Sequence, residues 1–315
     1  MLGFCSDWTR NPLANEEEEG MNASDFLTRR LCANVVAALT LWLFSLAAAG
    51  NAEVDVLAPA VTPRETITLY DGNTVADLRH FSTWLGNHGH EDPDRVYTVV
   101  DLIDGAPAIR ISGEHWGGLI TRSSYRDYRL AVECRWGTVT WKARKHMSRN
   151  SGILFHCQGE DGNHAANFQS PWLRSIEYEI QEGRTGAVVL VGGYDRGQPA
   201  IIGPRVTMRT KANNIWDPTG EPGVFSGCFL FQSTYDVGWR DVLGVRGPAD
   251  REAPLGGWNR VEIVARGGDI AYFLNGTRIL ELTDSTFREG RILLQSEGAE
   301  IFFRLVELHP VTPDK

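Results

Sequence analysis

The chain is poor in cysteine, in basic charge and in helical periodicity, and each shortage closes a route. Five Cys occur in 315 residues. Cys5 and Cys32 precede residue 53, which leaves Cys134, Cys157 and Cys228 for the rest of the chain. They contain no CxxC pair, and an odd count admits at most one disulfide, so neither a disulfide framework nor a cysteine metal site is expected. Three scattered thiols read instead as small buried apolar residues. Lys and Arg number 31 against 40 Asp and Glu, a formal net charge of -9. Without a basic stripe, a nucleic-acid partner is excluded as a working idea. Past residue 53 no segment holds an amphipathic helical period over three turns. Neither a GxGxxG phosphate loop nor a Ser-His-Asp elbow is present.

What remains is strand and turn. Gly numbers 33, and short β-rich runs are separated by Gly, Pro, Asn and Asp clusters. Tyr128, Leu130, Val132, Cys134 and Trp136 alternate with Arg129, Ala131, Glu133 and Arg135, the period of a half-buried strand. Further runs lie at 152–158, 176–182, 187–193, 258–267, 270–282, 291–298 and 299–308. Asn275-Gly276 between apolar flanks predicts a type I′ hairpin. With no βαβ rhythm and no repeat, the pattern predicts an all-β protein, an antiparallel two-sheet β-sandwich. Residues 195–257, rich in Gly and Pro, are expected to form an elaborated loop section with short strands such as 227–232.

The N-terminal part has a different character. Residues 31–49 form an uncharged apolar run behind Arg29 and Arg30, and small residues follow through 52. This is the layout of a signal peptide, while its 19-residue length also suits an uncleaved membrane anchor. Either leaves the folded part extracytoplasmic, periplasmic or secreted. Met21 makes 1–20 an upstream extension or a mis-assigned start. The expected organisation is 1–52 extension and leader, 53–63 linker, and 64–310 one β-sandwich domain.

The stretch SIEYEIQEG (175–183) raises the chemical question. Alternation sends Glu177, Glu179 and Gln181 to one face of a strand. Two carboxylates about 7 Å apart push each other's pKa apart and so supply an acid and a base. The plain alternative is a solvated edge face paired with Arg174 or Arg184. His156 alternates with Gly152 and Leu154 and is expected on the same wall as acid, base or ligand; a hydrogen-bonded structural histidine is the competing reading. A divalent metal held by His156, Glu177 and Glu179 is the one cofactor considered, without any diagnostic spacing behind it. Trp116 is a candidate for stacking on a sugar ring, or a core residue. Gln295 and Glu297, beside the turn at Gly298, are candidates for the site rim. Loop 86–94 gathers His88, His90, Glu91, Asp92 and Asp94, but lacks the order of an EF-hand and is read as having no calcium. The basic run 142–149 is read as a solvated loop, with contact to an anionic group as the alternative.

Five segments together carry a likeness: GEHWGGLIT (113–121), NSGILFH (150–156), SIEYEIQEG (175–183), and the stretches 256–276 and 291–308. They resemble the 3-keto-disaccharide hydrolase domain family, over about residues 67–308. The resemblance implies a concanavalin A-like jelly roll that binds carbohydrate on its concave sheet. It also implies action on disaccharides or glycosides whose C3 hydroxyl is oxidised to a ketone, some relatives being lyases or hydratases. Two places depart from the usual pattern: Glu179 stands where Gln is common, and Gln295-Ser296-Glu297-Gly298 replaces Gln-Asp-His-Gly. A C3 ketone acidifies the C2 hydrogen, so a base, an enolate-stabilising group and an acid suffice to eliminate the C1 substituent before water adds. Glu177, Glu179 and His156 are the expected catalytic residues, and Trp116, Gln181, Gln295 and Glu297 the expected substrate contacts. Two other functions compete: a non-catalytic carbohydrate-binding module, and a conventional glycosidase, whose retaining form needs carboxyl groups about 5–5.5 Å apart.

Overall fold

The computed structural model describes residues 58–72 and 78–311. The leader or anchor at 31–49, and the rest of 1–57, lie outside the described residues. Where the expected linker is described, Val61 exchanges backbone hydrogen bonds with Ser124 and Arg126 (2.8 and 3.0 Å).

Among the described residues eighteen strands follow in chain order. They are β1 (Ile67–Tyr70), β2 (Phe81–Leu85), β3 (Tyr97–Ile103), β4 (Ala106–Ile111), β5 (Gly117–Thr121) and β6 (Tyr125–Arg126). Then come β7 (Tyr128–Thr140), β8 (Asn150–Gln158), β9 (Arg174–Gln181), β10 (Val188–Val191), β11 (Arg205–Thr210) and β12 (Glu221–Ser226). The last six are β13 (Phe229–Leu230), β14 (Asn259–Arg266), β15 (Asp269–Leu274), β16 (Thr277–Leu282), β17 (Glu289–Ser296) and β18 (Ala299–Pro310). Among the described residues the helical segments are two short 3₁₀ turns, at Lys142–His146 and Ala212–Asn214.

Two antiparallel sheets of eight strands hold the fold. One runs β16-β15-β14-β7-β18-β4-β3 with β1 on β18; the other runs β13-β10-β9-β8-β17-β5-β2 with β6 on β17. The predicted all-β sandwich is thus the architecture found. Its core is built by alternation: Leu130, Val132, Cys134 and Trp136 of β7 meet Ile153 and Phe155 of β8 and Ile176, Tyr178 and Ile180 of β9. Burying such apolar side chains is the main stabilising contribution, about 1.5–3 kcal/mol each. The Asn275-Gly276 turn joins β15 to β16 with φ of 50° and 77°, the two positive angles a type I′ hairpin requires. Cys134, Cys157 and Cys228 are free and buried, as their scattered spacing predicts.

The second sheet presents an outer face, away from that core, and β9 shows both sides at once. Its inward residues are apolar, yet its outward Glu177, Glu179 and Gln181 are only 5%, 3% and 1% exposed. The reading of a solvated edge face is therefore corrected. The strand lies inside the sheet between β8 and β10, and the 3₁₀ turn with its flanks and the loop after β13 close over the polar side. Trp239 donates its indole N–H to the Glu182 carbonyl (3.1 Å), and Leu243 N–H reaches the His146 carbonyl (3.1 Å).

Candidate active site

Register places the polar residues in rows. Glu179 pairs with Gly152 across β9 and β8, and Glu177 with Leu154. Gln295 of β17 pairs with Gly118 of β5, which pairs with Trp84 of β2. Gly152 matters because it has no side chain: a Cβ there would lie 2.2 Å from Glu177 Oε1 and 3.0 Å from Gln295 Oε1. Only glycine lets these two groups meet over the sheet. Beside this polar floor an apolar patch of Ile120, Leu154, Cys157, Leu173 and Leu293 packs under Trp84 and Trp172.

Three carboxyl groups share the polar end. Burial pushes the Glu177 carboxyl well above the ordinary carboxylate range, and the neighbouring Glu179 and Glu297 charges push the same way. Desolvation likewise lifts Glu297 to about 7, opposed by the Arg144 guanidinium and reinforced by Glu179. Arg144 bridges Glu297 Oε1 and Asp241, both at 3.1 Å. Arg184 pairs with Glu179 at 3.1 Å while its guanidinium lies 4.9 Å from the ring centres of both Phe229 and Trp239. Such a sandwich fixes the cation and with it the carboxylate.

The amides then complete the picture. Gln181 donates to Ser148 Oγ (2.8 Å), while the Gln295 amide beside Glu177 and the Asn150 amide beside Glu297 each favour the charged carboxylate. Asn150 Oδ1, Glu177 Oε1, Gln181 Oε1 and Gln295 Oε1 are all buried without a donor. Each such acceptor costs about 1–3 kcal/mol when left unpaired. Four in one place make a surface that favours a ligand rich in hydroxyl donors.

Of the residues expected from sequence, Glu177, Glu179, Gln181, Gln295 and Glu297 come together. Trp116 stands at the rim, stacked on Trp172 at 5.8 Å, with its indole nitrogen 3.6 Å from where a Cβ on Gly298 would lie. His156 does not join them. A bulge in β8 between Phe155 and Gln158 breaks the alternation, and His156 at φ 51° turns between Phe155 and Tyr128 instead. Its Nδ1–H donates to the Phe287 carbonyl (3.1 Å), and burial pushes its pKa down to about 4. The expectation of a catalytic His156, and of a metal shared by His156, Glu177 and Glu179, is corrected by that turn: the three donors are not assembled.

Arg144, Asn150 and Asp241 were missed, whereas Arg184 was named as a partner of this face and does pair with Glu179. Asn150 was reachable, since it continues the Gly152, Leu154 alternation. Arg144 belongs to the basic run read as solvated; the structure buries Arg149 of that run against Glu182 (2.9 Å) and points Arg144 at two acids. Nothing local marks Asp241, 97 residues from its partner.

Comparison with known structures finds sandwich proteins. A candidate glycosyl hydrolase from Parabacteroides distasonis is 15% identical with a TM-score of 0.43, over 79% of this chain and 94% of that one. The carbohydrate-binding module CBM66 from Bacillus subtilis is 12% identical with a TM-score of 0.38, over 76% and 98%. Comparison with curated proteins finds no match. A family model of the 3-keto-alpha-glucoside-1,2-lyase-like domain matches residues 65–309, and the chain belongs to that family.

Proposed function

We propose that this chain is an extracytoplasmic enzyme that cleaves 3-keto-glycosides by taking a proton from C2, eliminating the C1 substituent and then hydrating the product. The observation that carries this reading is the set of four buried, donorless oxygens around carboxyl groups of raised pKa. The oxygens suit sugar hydroxyls, and the carboxyls suit proton transfer. The apolar run at 31–49 supports the extracytoplasmic location.

In this reading Glu297 is the base. Tuned to about 7, it can both exist as carboxylate and accept a proton near neutral pH. By resemblance it stands where many relatives carry His, and burial moves its carboxyl into the range where an imidazole titrates. Glu177, held protonated by burial, gives its proton to the departing C1 oxygen as that bond breaks. Arg184, whose Nε–H has no partner, and Arg144 are the cations able to stabilise an enolate oxygen. Glu179 anchors Arg184, and Trp116 offers an apolar ring face at the rim.

The test is release of aglycone from a synthetic 3-keto-glucoside by the full chain, compared with Glu177→Gln and with the unoxidised glucoside. Turnover of the keto-sugar alone, lost in the variant, is the expected result. Activity on the unoxidised glucoside would favour a conventional glycosidase. Binding without product, indifferent to Glu177→Gln, would reduce the domain to a binding module.

A further inference from the structure

We propose that His88, Asp94 and His115 form a binding site for a divalent transition-metal ion of the zinc class, outside the carboxylate cluster. One ligand atom from each lies within 4.8 Å of the other two. They come from three places: the tight turn after β2, the loop before β3, and the connection from β4 to β5.

The acid-rich loop 86–94 suggests calcium by composition, but the structure disposes of that arrangement residue by residue. Asp92 spends both oxygens as a cap, accepting from Val96 N–H (2.7 Å) and Tyr97 N–H (3.0 Å). The imidazole of His90 is engaged with the Thr83 carbonyl through Nδ1 (2.8 Å) and with Asp161 through Nε2 (3.5 Å). That leaves His88, Glu91 and Asp94; Glu91 is not part of the cluster of converging ligand atoms, and His115 joins His88 and Asp94 from 21 residues beyond Asp94. The donor set becomes two imidazole nitrogens and one carboxylate oxygen. Such a set suits Zn²⁺, Co²⁺ or Ni²⁺ and is poor for Ca²⁺ or Mg²⁺, which prefer oxygen ligands.

A simple ion pair explains two of the three residues. His115 Nε2 and Asp94 Oδ2 are 2.8 Å apart. It does not explain His88, whose ring meets that of His115 edge-on at 5.1 Å, with no hydrogen-bond partner for either ring nitrogen among the described residues. In a tetrahedral site with bonds near 2.0–2.1 Å, ligand atoms stand roughly 3.3 Å apart, so small side-chain rotations close the set. The scaffold is already fixed. Leu85 and Gly89 exchange two backbone hydrogen bonds of 2.7 Å under His88, and Ser296 Oγ–H holds the His115 carbonyl at 2.7 Å. Asp94, half exposed, leaves an open side for water. Because His115 precedes Trp116, the ion would tie the rim of the carboxylate site to the loop between β2 and β3.

The experiment is titration of the tag-free, chelator-stripped full chain with Zn²⁺ against a colorimetric chelator, with Co²⁺ absorption as a second readout. One equivalent bound at micromolar dissociation constant or tighter is expected. His88→Ala and His115→Ala should each weaken it at least tenfold and abolish the Co²⁺ spectrum, while His90→Ala leaves both unchanged. Absence of stoichiometric binding, or binding that survives in the His88→Ala/His115→Ala double variant, overturns the site. Far-ultraviolet circular dichroism of each variant separates lost ligation from lost fold. The outcome is independent of whether the carboxylate cluster turns over a keto-sugar.

Discussion

Two groups of buried acids flank the C-terminal end of β9, Glu182 and Glu252 in one and Glu177, Glu179 and Glu297 in the other, and they differ in what surrounds them. Glu182 accepts from Arg149 Nη1 (2.9 Å) and from the backbone N–H of Gly244 (3.1 Å). Glu252 accepts from Gly183 N–H (2.8 Å) and the Trp136 indole (3.3 Å). Every carboxylate oxygen there has work within the fold. Glu179 and Glu297 also carry strong partners, yet the cluster leaves four acceptor oxygens without a donor. Burial alone does not separate the groups, because it lifts Glu252 to about 7 just as it lifts Glu297. Unspent hydrogen-bonding capacity does.

The largest expected effect therefore falls on the unsatisfied cluster. Glu177→Gln keeps the shape but removes the acid proton. On a 3-keto-glucoside it should lower kcat by about 10²–10⁴-fold, the usual contribution of a general acid, with the denaturation midpoint nearly unmoved. Glu182→Ala should show the reverse. It strands the buried Arg149, a loss of about 3–5 kcal/mol in urea unfolding, while kcat per folded molecule stays within a few-fold. If Glu177→Gln unfolds the protein and Glu182→Ala silences it, the division between a working and a structural acid cluster is wrong.

The parts of this contrast that were legible in the sequence are those set by period. Alternation in 175–183 placed Glu177, Glu179 and Gln181 together, and it placed Ile176, Tyr178 and Ile180 in the core, because a pleated strand has no other way to distribute them. Asn-Gly fixed the β15–β16 hairpin for an equally local reason. What period cannot express is a break in itself. The extra residue in β8 leaves no trace in composition, so His156 was assigned to the wrong side. The lid residues Arg144, Trp239 and Asp241 were hidden for another reason: they sit in aperiodic chain, and only the fold brings them over β9.

The smallest predicted effect tests the two residues that contrast most with the active cluster, Glu252 and His156, through the pH dependence of stability. Glu252 titrates at about 7 in the folded protein against an ordinary value of 4.5, so the native state holds the extra proton between those values. Stability from this group is present below pH 4.5 and is lost as pH rises through 7. His156 runs the other way: its pKa is about 4 when folded against 6.5 when free, so its contribution is present above pH 6.5 and is lost as pH falls through 4. Each slope is at most about 1.4 kcal/mol per pH unit, and across pH 4.5–6.5 they oppose. Glu252→Gln should thus make stability rise more steeply, or fall less, with increasing pH in that window. His156→Asn, which tolerates the positive φ and retains an N–H donor, should make it fall more steeply, at a cost of about 1–3 kcal/mol at neutral pH. Urea midpoints measured from pH 4.5 to 6.5 decide it, and turnover by His156→Asn within about twofold of the parent at pH 7 would place that histidine among the residues that hold the fold.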